Sequence, residues 1–341
     1  MNIVLSLDYE VWFGRNGALP QRTLVEPTAA LRALARRHGV RLVFFVDVLW
    51  LLRLREEARR HPLLMAEHDR VARQLDELAA DGHELQLHLH PHWLDSHWDG
   101  DDWALDLRRY RLHDFADTEI AEMVNAGAHA LRAHAGVVPV SAFRAGGWCL
   151  QPFDRLRGPL RSADICIDST VYAGGVEQGE GRRYDFRAAP ALGRWRFDDD
   201  PLRPRADGAF LELPIASQTL PPWFFWQLAF TKVLGLGAHR VQGPGSALAM
   251  GRADLLRRLL RPSTSVASSD GLKASRLADA LESQRRRGLQ DFVVIGHPKA
   301  LTLHGLRMLD HFITAHRGDH FFGMNDYLDD LAGSDTTPVA A

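Results

Sequence analysis

Five of the 17 histidines lie between His83 and His97, which makes this stretch the densest source of nitrogen ligands in the chain. Residues 82–93 read GHELQLHLHPHW, with leucines alternating with polar residues before the histidines. The alternation predicts a strand that ends in a histidine-rich loop. Imidazole suits Zn²⁺ and related ions, and a catalytic zinc site has three protein ligands and an open position. We predict that His88 and His92 supply two of the ligands; histidines that merely hydrogen-bond nearby backbone are the alternative.

Asp8 and Glu10 stand at the end of the first predicted strand, residues 2–7. The two-residue period of a strand puts both carboxylates on one side, so one could bind the metal while the other takes a proton. A loop cap or a salt-bridge partner is the alternative for an isolated Asp-x-Glu. A functional role for the pair is favoured because it follows a predicted strand, as the histidines do.

Composition limits the classes of function. The chain has 341 residues, 46% of them hydrophobic, and its net charge of −2 provides no basic field for nucleic acid. Two cysteines, Cys149 and Cys166, make no disulfide framework, and the first residues lack a signal-peptide pattern, so we expect a cytoplasmic protein. Residues 220–236 are the most apolar stretch, but prolines and Lys232 interrupt it; we expect a buried or interfacial segment and no transmembrane span.

Apolar runs of strand length alternate with helix-period segments, which predicts βα units around a parallel sheet or barrel. Strands are predicted at residues 2–7, 41–46, 84–89, 140–143, 165–167, 210–213 and 292–295, and helices at 27–39, 63–80, 117–135, 272–287 and 306–316. We expect a single unit over residues 1–333, with an irregular excursion at about 172–208 and a disordered tail at 334–341.

Five stretches of the sequence contain candidate catalytic or metal-binding residues. They are LSLDYE at residues 5–10, FFVD at 44–47, GHE with the His88-x-x-x-His92 pair at 82–92, FRAGG at 143–147 followed by IDS, and VIGHP at 294–298. Together they resemble the polysaccharide deacetylase superfamily, the NodB-like metal-dependent N- and O-deacetylases, over about residues 1–330. The chain departs from the commoner pattern by having Asp-Tyr-Glu in place of adjacent aspartates and by lacking a proline after Arg144-Ala145.

The resemblance implies an α/β fold, a distorted (β/α) barrel of seven strands, and one divalent metal, with Zn²⁺ the first choice among first-row ions. It implies Glu10 as the third metal ligand beside His88 and His92. Asp8 is then the base that removes a proton from the attacking water, although the two carboxylates could exchange these roles.

The resemblance also implies the remaining catalytic roles. His297 would protonate the leaving amine or alcohol, and Asp168 would hold that imidazole in its charged form. Arg144 would orient the base carboxylate through a fork of hydrogen bonds. Helix capping by His297 and a surface ion pair of Arg144 are the structural alternatives.

Three further residues are expected to contact a glycan. His90 alternates with His88 along the strand end and is interpreted as a substrate contact; His88-Leu89-His90 also resembles the His-x-His of amidohydrolase barrels, but that pair lies on the first barrel strand. Trp93 and Trp148 could pack on the C–H faces of sugar rings, or form a small core under the loops.

The function predicted from these residues is a metal-dependent hydrolase that removes an acetyl group from an N-acetylated sugar in a cell-surface polysaccharide or its lipid-linked precursor. The partner is then a glycan, with peripheral membrane contact if the aromatic residues of 220–236 are exposed. Hydrolysis of another C–N amide, such as a cyclic ureide in an allantoinase-like reaction, and a non-catalytic glycan-binding barrel are the alternatives.

Overall fold

The computed structural model of the protein describes residues 1–13, 20–179, 181–243 and 252–332, so the predicted tail at 334–341 lies outside the described residues. Seven parallel strands form its centre, in the sheet order β6-β5-β4-β3-β2-β1-β7. They are β1 (Asn2–Tyr9), β2 (Val43–Asp47), β3 (Glu84–Leu89), β4 (Ala142–Ala145), β5 (Ile167–Asp168), β6 (Phe210–Glu212) and β7 (Asp291–Gly296).

The two ends of this sheet meet just beyond β6. Ile215 forms a parallel bridge with Val293 of β7, and the Ala216 N–H donates to the Val293 carbonyl at 2.9 Å. A second parallel bridge joins Ser268 to Ile295. Isolated bridges in place of a continuous ladder close the ring, which explains its distortion. The predicted distorted seven-stranded (β/α) barrel is confirmed. Trp195–Phe197 pairs antiparallel with β6, and His320–Phe322 pairs parallel with β1.

Helices connect the strands, and most of them cover the outside of the sheet. They are α1 (Glu26–His38), α2 (Val48–Ala58), α3 (Pro62–Ala80), α4 (Asp117–Ala135), α5 (Asp154–Ser162), α6 (Pro222–Val233), α7 (Arg252–Leu260), α8 (Leu277–Arg286), α9 (Leu303–Ala315) and α10 (Asp329–Ala332). The predicted helices match α1, α3, α4 and α9 closely, whereas α8 begins later than the predicted residue 272, after the 3₁₀ turn Gly271–Arg276. α1 ends where Gly39 adopts φ 65°, a left-handed conformation that favours glycine.

The sequence pattern missed α2. Its first turns carry a continuous apolar run, of which Val48, Leu49, Trp50 and Leu51 are all buried, and such a run has no helical period. No described helix is both long enough and apolar enough to cross a membrane.

Two excursions leave the barrel. The predicted one at 172–208 holds an antiparallel hairpin, Val176–Gln178 with Arg183–Asp185. The second, at 217–266, was not predicted; its strands Ser217–Leu220 and Ser263–Val266 pair antiparallel and frame α6 and α7. The apolar stretch 220–236 falls in it and is only partly buried.

Alternation along the strands separates two apolar cores. Leucines and aromatic residues at one set of positions pack outward under the helices, as Leu5 and Leu7 do on β1. The other set fills the barrel interior with a smaller cluster that includes Val4, Val43, Phe45, Leu211 and Val293. This cluster forms an apolar floor, and the same inward-facing series continues upward to the charged residues of the site.

His83, at the start of β3, offers a test of folding energetics. Its ring is buried, and its Nδ1 accepts a hydrogen bond from the Leu42 N–H at 3.2 Å. Burial lowers the pKa of His83 from 6.5 to about 4. The folded state therefore favours the neutral ring, and this contribution is complete above pH 6.5 and is lost as the pH falls toward 4. The shift corresponds to about 3 kcal/mol.

We expect His83→Gln to keep an acceptor for the Leu42 N–H while removing the titration. Urea unfolding at pH 7 and pH 4.5 should show that the wild type loses about 2 kcal/mol more stability than the variant over this interval. Identical losses for both proteins would mean that His83 does not titrate in the fold.

Candidate active site

Charged side chains follow the apolar floor at the C-terminal ends of the strands. Asp8 lies near the end of β1, His88 and Arg144 are register partners on β3 and β4, and His297 follows β7. Because the C-terminal ends of parallel strands meet at one end of a barrel, these side chains converge. They line one cavity of about 310 Å³, together with Glu10.

Arg144 fixes one catalytic candidate. Its guanidinium donates to Asp8 Oδ1 at 2.6 Å and to the Ser169 carbonyl at 2.7 Å, and only 1% of Arg144 is exposed. Asp8 Oδ2 lies 3.9 Å from His88 Nε2 and 3.7 Å from His297 Nε2. One oxygen of Asp8 is thus held by a buried cation, and the other faces the histidines.

Glu10, His88 and His90 form a group, among the described residues, whose potential ligand atoms all lie within 4.8 Å of one another. Glu10 Oε2 is 2.7 Å from His90 Nε2 and 3.7 Å from His88 Nε2. His88 Nδ1 donates to the Arg144 carbonyl at 2.8 Å, which directs Nε2 toward Glu10. His88 Nε2 is buried without a hydrogen-bond partner. One carboxylate and two imidazoles with converging donor atoms fit a divalent metal of the zinc type.

The predicted ligand set needs one correction, because His92 lies outside this group. A strand places residues two apart on the same side, so His90 follows His88 toward the cavity. The 3₁₀ turn Pro91–Leu94 then carries His92 away, and its ring stacks on Tyr110 with centroids 5.7 Å apart and an interplanar angle of 10°. Burial and the charge of His90 lower the pKa of His92 well below its ordinary value. His90, predicted as a substrate contact, is the second histidine of the group.

Trp93 also differs from its prediction. It is 1% exposed, and its Nε1–H donates to Asp47 Oδ2 at 2.8 Å. The other oxygen of Asp47 accepts from the His90 backbone N–H at 3.3 Å. Trp93 therefore supports the backbone of a ligand residue through Asp47 and has no surface to offer a sugar.

Trp148 lines the cavity as predicted for a substrate contact. Trp148 and Gly147 both have φ 61°, a conformation that costs a residue with a side chain about 1–3 kcal/mol. A Cβ at position 147 would lie 2.7 Å from the Tyr110 hydroxyl, so only glycine fits there. Strain of this kind concentrates at functional sites, and here it presents the Trp148 ring to the cavity.

His297 is held by a different carboxylate from the one expected. Its Nδ1 lies 2.8 Å from Asp270 Oδ2, and its backbone N–H donates to Asp270 Oδ1 at 2.8 Å. Asp168 instead accepts hydrogen bonds from Thr170 and pairs with Glu212. The reason is alternation on β5, where the neighbours of Asp168 face the barrel interior and Asp168 itself faces away. Asp270 replaces Asp168 in the proposed pair.

Asp270 sets the charge of His297. Burial lowers the pKa of His297, but Asp270 and, to a smaller extent, Asp8 and Glu10 raise it above the ordinary value. His297 Nε2 lies 3.5 Å from Glu10 Oε1, so the proton-bearing nitrogen faces the cavity. An imidazolium in this position can donate a proton to a leaving group.

Lys299 is a functional candidate that the sequence analysis missed. Its ammonium lies 2.9 Å from Glu10 Oε1 and donates to the Val11 carbonyl at 2.9 Å. Burial would raise the pKa of Glu10, but Lys299, His90 and His88 lower it well below the ordinary value. Lys299 thus keeps Glu10 ionised while leaving Oε2 directed at the two histidines.

The field between the carboxylates favours positive charge. Burial lowers the pKa of His88, but Asp8, Glu10 and Asp47 raise it to about 9. A divalent cation placed there would meet the same carboxylates and would take His88 in its neutral form.

Asp47 and Asp270 were also missed as site residues. Asp47 ends the FFVD strand that was singled out, and the alternation of Val43, Phe45 and Asp47 on one side of β2 could have shown that it faces inward. Asp270 had no signal, because the chain returns to β7 through residues 267–269 after a long excursion.

No family model and no curated protein matches the sequence. Solved structures match in fold. A proposed polysaccharide deacetylase from Mycobacterium smegmatis has 16% identity and a TM-score of 0.48, with 100% of this chain and 93% of that chain covered. Puue allantoinase has 14% identity and a TM-score of 0.49, with 98% of this chain and 91% of that chain covered. The Bc1960 peptidoglycan N-acetylglucosamine deacetylase has 12% identity and a TM-score of 0.37, covering 95% and 86%. Since these TM-scores are below 0.5, the function is inferred from the side chains of the site.

The geometry predicts which histidines retain a metal. We expect His88→Ala and His90→Ala each to weaken Zn²⁺ binding by at least about 100-fold, because loss of even a supporting residue costs 10–100-fold. His92→Ala is the matched control and should bind Zn²⁺ nearly as tightly as the wild type. Calorimetric titration of the metal-free proteins measures all three. Loss of binding in His92→Ala with retention in His90→Ala would restore the original ligand set.

Proposed function

We propose that the protein is a metal-dependent hydrolase that removes the acetyl group from an N-acetylated sugar. The proposal rests on one observation: the Glu10–His88–His90 group shares a cavity with Asp8 and His297. Arg144 holds Asp8 and Asp270 holds His297, each through an opposite charge. Acyl-transfer hydrolysis by this class of site needs a metal position, a base and an acid, and each has a candidate here.

Glu10, His88 and His90 would hold the ion, for which we propose Zn²⁺. When bound, it would polarise the acetyl carbonyl and lower the pKa of a water molecule toward neutrality. Lys299 keeps one oxygen of Glu10 occupied at 2.9 Å, so that carboxylate would offer the ion the other oxygen.

Asp8 is the proposed base. Arg144 holds Oδ1 at 2.6 Å, which leaves Oδ2 to accept a proton from the water that attacks the acetyl carbon. The fixed ion pair also limits rotation of the carboxylate, so the accepting oxygen is positioned before the substrate arrives. We assign the base role to Asp8 and the ligand role to Glu10, because Glu10 Oε2 lies only 2.7 Å from His90 Nε2.

His297 is the proposed acid. As the C–N bond breaks, His297 Nε2–H would donate its proton to the leaving amine nitrogen, and acetic acid would be released, which gives its own proton to solvent to become acetate. Asp270 positions the ring through Nδ1 and the backbone N–H, and so fixes the direction of the proton that is donated. The proton balance closes when the proton accepted by Asp8 returns to His297 for the next cycle.

A glycan substrate is supported by the cavity walls. The Trp148 ring and the aromatic residues Trp12, Phe13 and Tyr110 surround the charged centre. Aromatic faces pack against the C–H faces of sugar rings. We propose a polysaccharide or its precursor as the substrate and a cytoplasmic setting, which the two free cysteines support.

A direct assay separates this function from the alternatives. Zinc-loaded protein is incubated with N-acetylated oligosaccharides and, separately, with allantoin, and acetate or ureide cleavage is measured. Acetate release that is abolished by Asp8→Asn supports the proposal. Cleavage of allantoin alone would favour the ureide hydrolase, and glycan binding without any turnover would favour the non-catalytic barrel.

The acid role of His297 makes a specific prediction. We expect His297→Ala to lower the rate of sugar deacetylation by about two to four orders of magnitude, the usual effect of losing one positioned acid. The same variant should hydrolyse 4-nitrophenyl acetate within about tenfold of the wild type, because nitrophenolate leaves without protonation. Zinc content is measured alongside as a control. Equal losses on both substrates would indicate a structural role.

The positioning role of Asp270 makes a milder prediction. We expect Asp270→Asn to lower sugar deacetylation by about 10- to 100-fold, since the amide can accept only one of the two hydrogen bonds from His297 and lacks the charge that stabilises the imidazolium. Asp168→Asn is the matched control and should stay within a few-fold of the wild type. A large loss of deacetylation in the Asp168 variant alone would support Asp168, and not Asp270, as the partner of His297.

A further inference from the structure

The second excursion exposes an unusual amount of apolar surface. Of the sixteen large hydrophobic residues that are exposed in the described part of the chain, nine lie on α6, on α7 or between them. They include Trp223 at 53%, Trp226 at 50%, Phe230 at 62% and Val233 at 83% exposure. Isolated exposed leucines are ordinary, but a contiguous apolar patch on a folded protein marks an interaction surface.

Helix α6 is apolar on both faces. Phe224 and Phe225 turn inward and are buried with Leu220 and Leu272. Trp223, Trp226, Phe230 and Val233 follow one another at intervals of three and four residues and so form a single outward stripe. A helix that is apolar all round is normally buried in a protein core or in lipid. One half of α6 has such a core, and the other half faces outward.

Positive charge surrounds this stripe. Residues 214–269 contain six basic residues and a single acidic one, Asp254, in a chain whose net charge is −2. Asp254 is paired with Arg257 at 2.9 Å. Lys232, Arg240 and Arg261 are exposed and, within the described residues, form no ion pair. Aromatic and leucine side chains flanked by uncompensated basic residues are the composition of surfaces that lie in the interface of an anionic bilayer.

We propose that α6, residues 234–240 and the exposed side of α7, together the α6–α7 platform, dock on an anionic phospholipid bilayer. The apolar stripe enters the acyl boundary, and Lys232, Arg240 and Arg261 contact the headgroups. A protein partner with an acidic groove would match the basic residues only at the rim of that groove. An anionic bilayer can take up the aromatic side chains and pair with the basic ones along the whole length of the platform. Charge complementarity therefore selects the bilayer as the occupant.

The platform is attached to the wall of the active site. Leu272, which packs under α6, is two residues from Asp270, the partner of His297. The Arg258 guanidinium of α7 lies 5.7 Å from the centroid of the Phe225 ring, which joins the two helices of the platform. Docking would therefore hold the cavity beside the bilayer surface. Resting on the proposed function, this identifies the substrate class as an N-acetylated glycan carried at a membrane.

Vesicle co-sedimentation tests the proposal with the full chain. Vesicles of phosphatidylcholine with about one quarter phosphatidylglycerol are compared with vesicles of phosphatidylcholine alone. We expect binding to the anionic vesicles that is at least about tenfold stronger and that weakens as salt is raised from about 50 to 500 mM, because salt screens the basic residues. Absence of binding by the wild type would overturn the proposal.

Matched variants separate the apolar and basic contributions. Phe230→Ser with Leu256→Ser removes exposed apolar side chains, and Lys232→Glu with Arg261→Glu reverses charge; each pair should lower binding by about tenfold or more. Val137→Ser is the control, since Val137 is 100% exposed in the connection between α4 and β4, at the opposite end of the barrel. Circular dichroism checks that each variant is folded.

Self-association is the competing occupant of the platform. Light scattering without vesicles measures it; a dimer that the Phe230/Leu256 variant converts to monomer, with no vesicle binding by either protein, would overturn the proposal. Turnover of a soluble N-acetylated oligosaccharide is measured separately, and the platform variants should retain the wild-type rate. Failure of docking and failure of the proposed chemistry thus give different results.

Discussion

Successive side chains of each barrel strand point to opposite sides of the sheet, and this alternation decides which residues reach the interior. On β1 the inward series runs from Val4 through Ser6 to Asp8, so apolar packing passes into charge within four residues. Buried charges are tolerated only when they are paired and hydrogen-bonded. The Arg144–Asp8 ion pair meets that condition near the boundary between floor and cavity.

The same requirement organises the rest of the cavity. Three of the ionisable groups that face it are held by an opposite charge: Arg144 holds Asp8, Lys299 holds Glu10 and Asp270 holds His297. His88 Nε2, which converges with Glu10 Oε2, is buried without a hydrogen-bond partner. A buried, unpaired nitrogen that converges with a carboxylate oxygen and a second imidazole indicates where a cation belongs.

Much of the architecture follows from periodicity in the sequence. The strands carrying Asp8, His88 and Arg144 and the start of the loop carrying His297 could be located because a period of two, or a short apolar run bounded by glycine, is a local signal. Whether His92 also reaches the group could not be predicted, since it depends on the turn that begins at Pro91. Spacing of four suits a helix, whereas these residues leave a strand, where spacing of two brings side chains together.

The remaining errors share a different cause. Asp168 was assigned to His297 from the family resemblance, yet its side chain belongs to the outer face, where it contacts Thr170 and Glu212. Asp270 reaches His297 only because the chain comes back beside β7 after residue 266, a non-local contact with no trace in local pattern. Nothing in the sequence pattern of 217–266 fixes how its two strands pair, so that excursion was also missed.

The way this excursion begins and ends bears on how the protein can change over evolutionary time. It leaves after Ala216 and returns at Ala267, and the Ala267 N–H donates to the Ala216 carbonyl at 2.7 Å, so its two ends are neighbours. A segment whose two ends are hydrogen-bonded to each other can lengthen, shorten or be replaced at a small cost in stability. The reason is that the entropic cost of closing a loop rises only slowly with the length of the loop. Insertions at the point where the barrel closes can therefore change where the protein binds, while the strands that carry the catalytic residues stay unchanged.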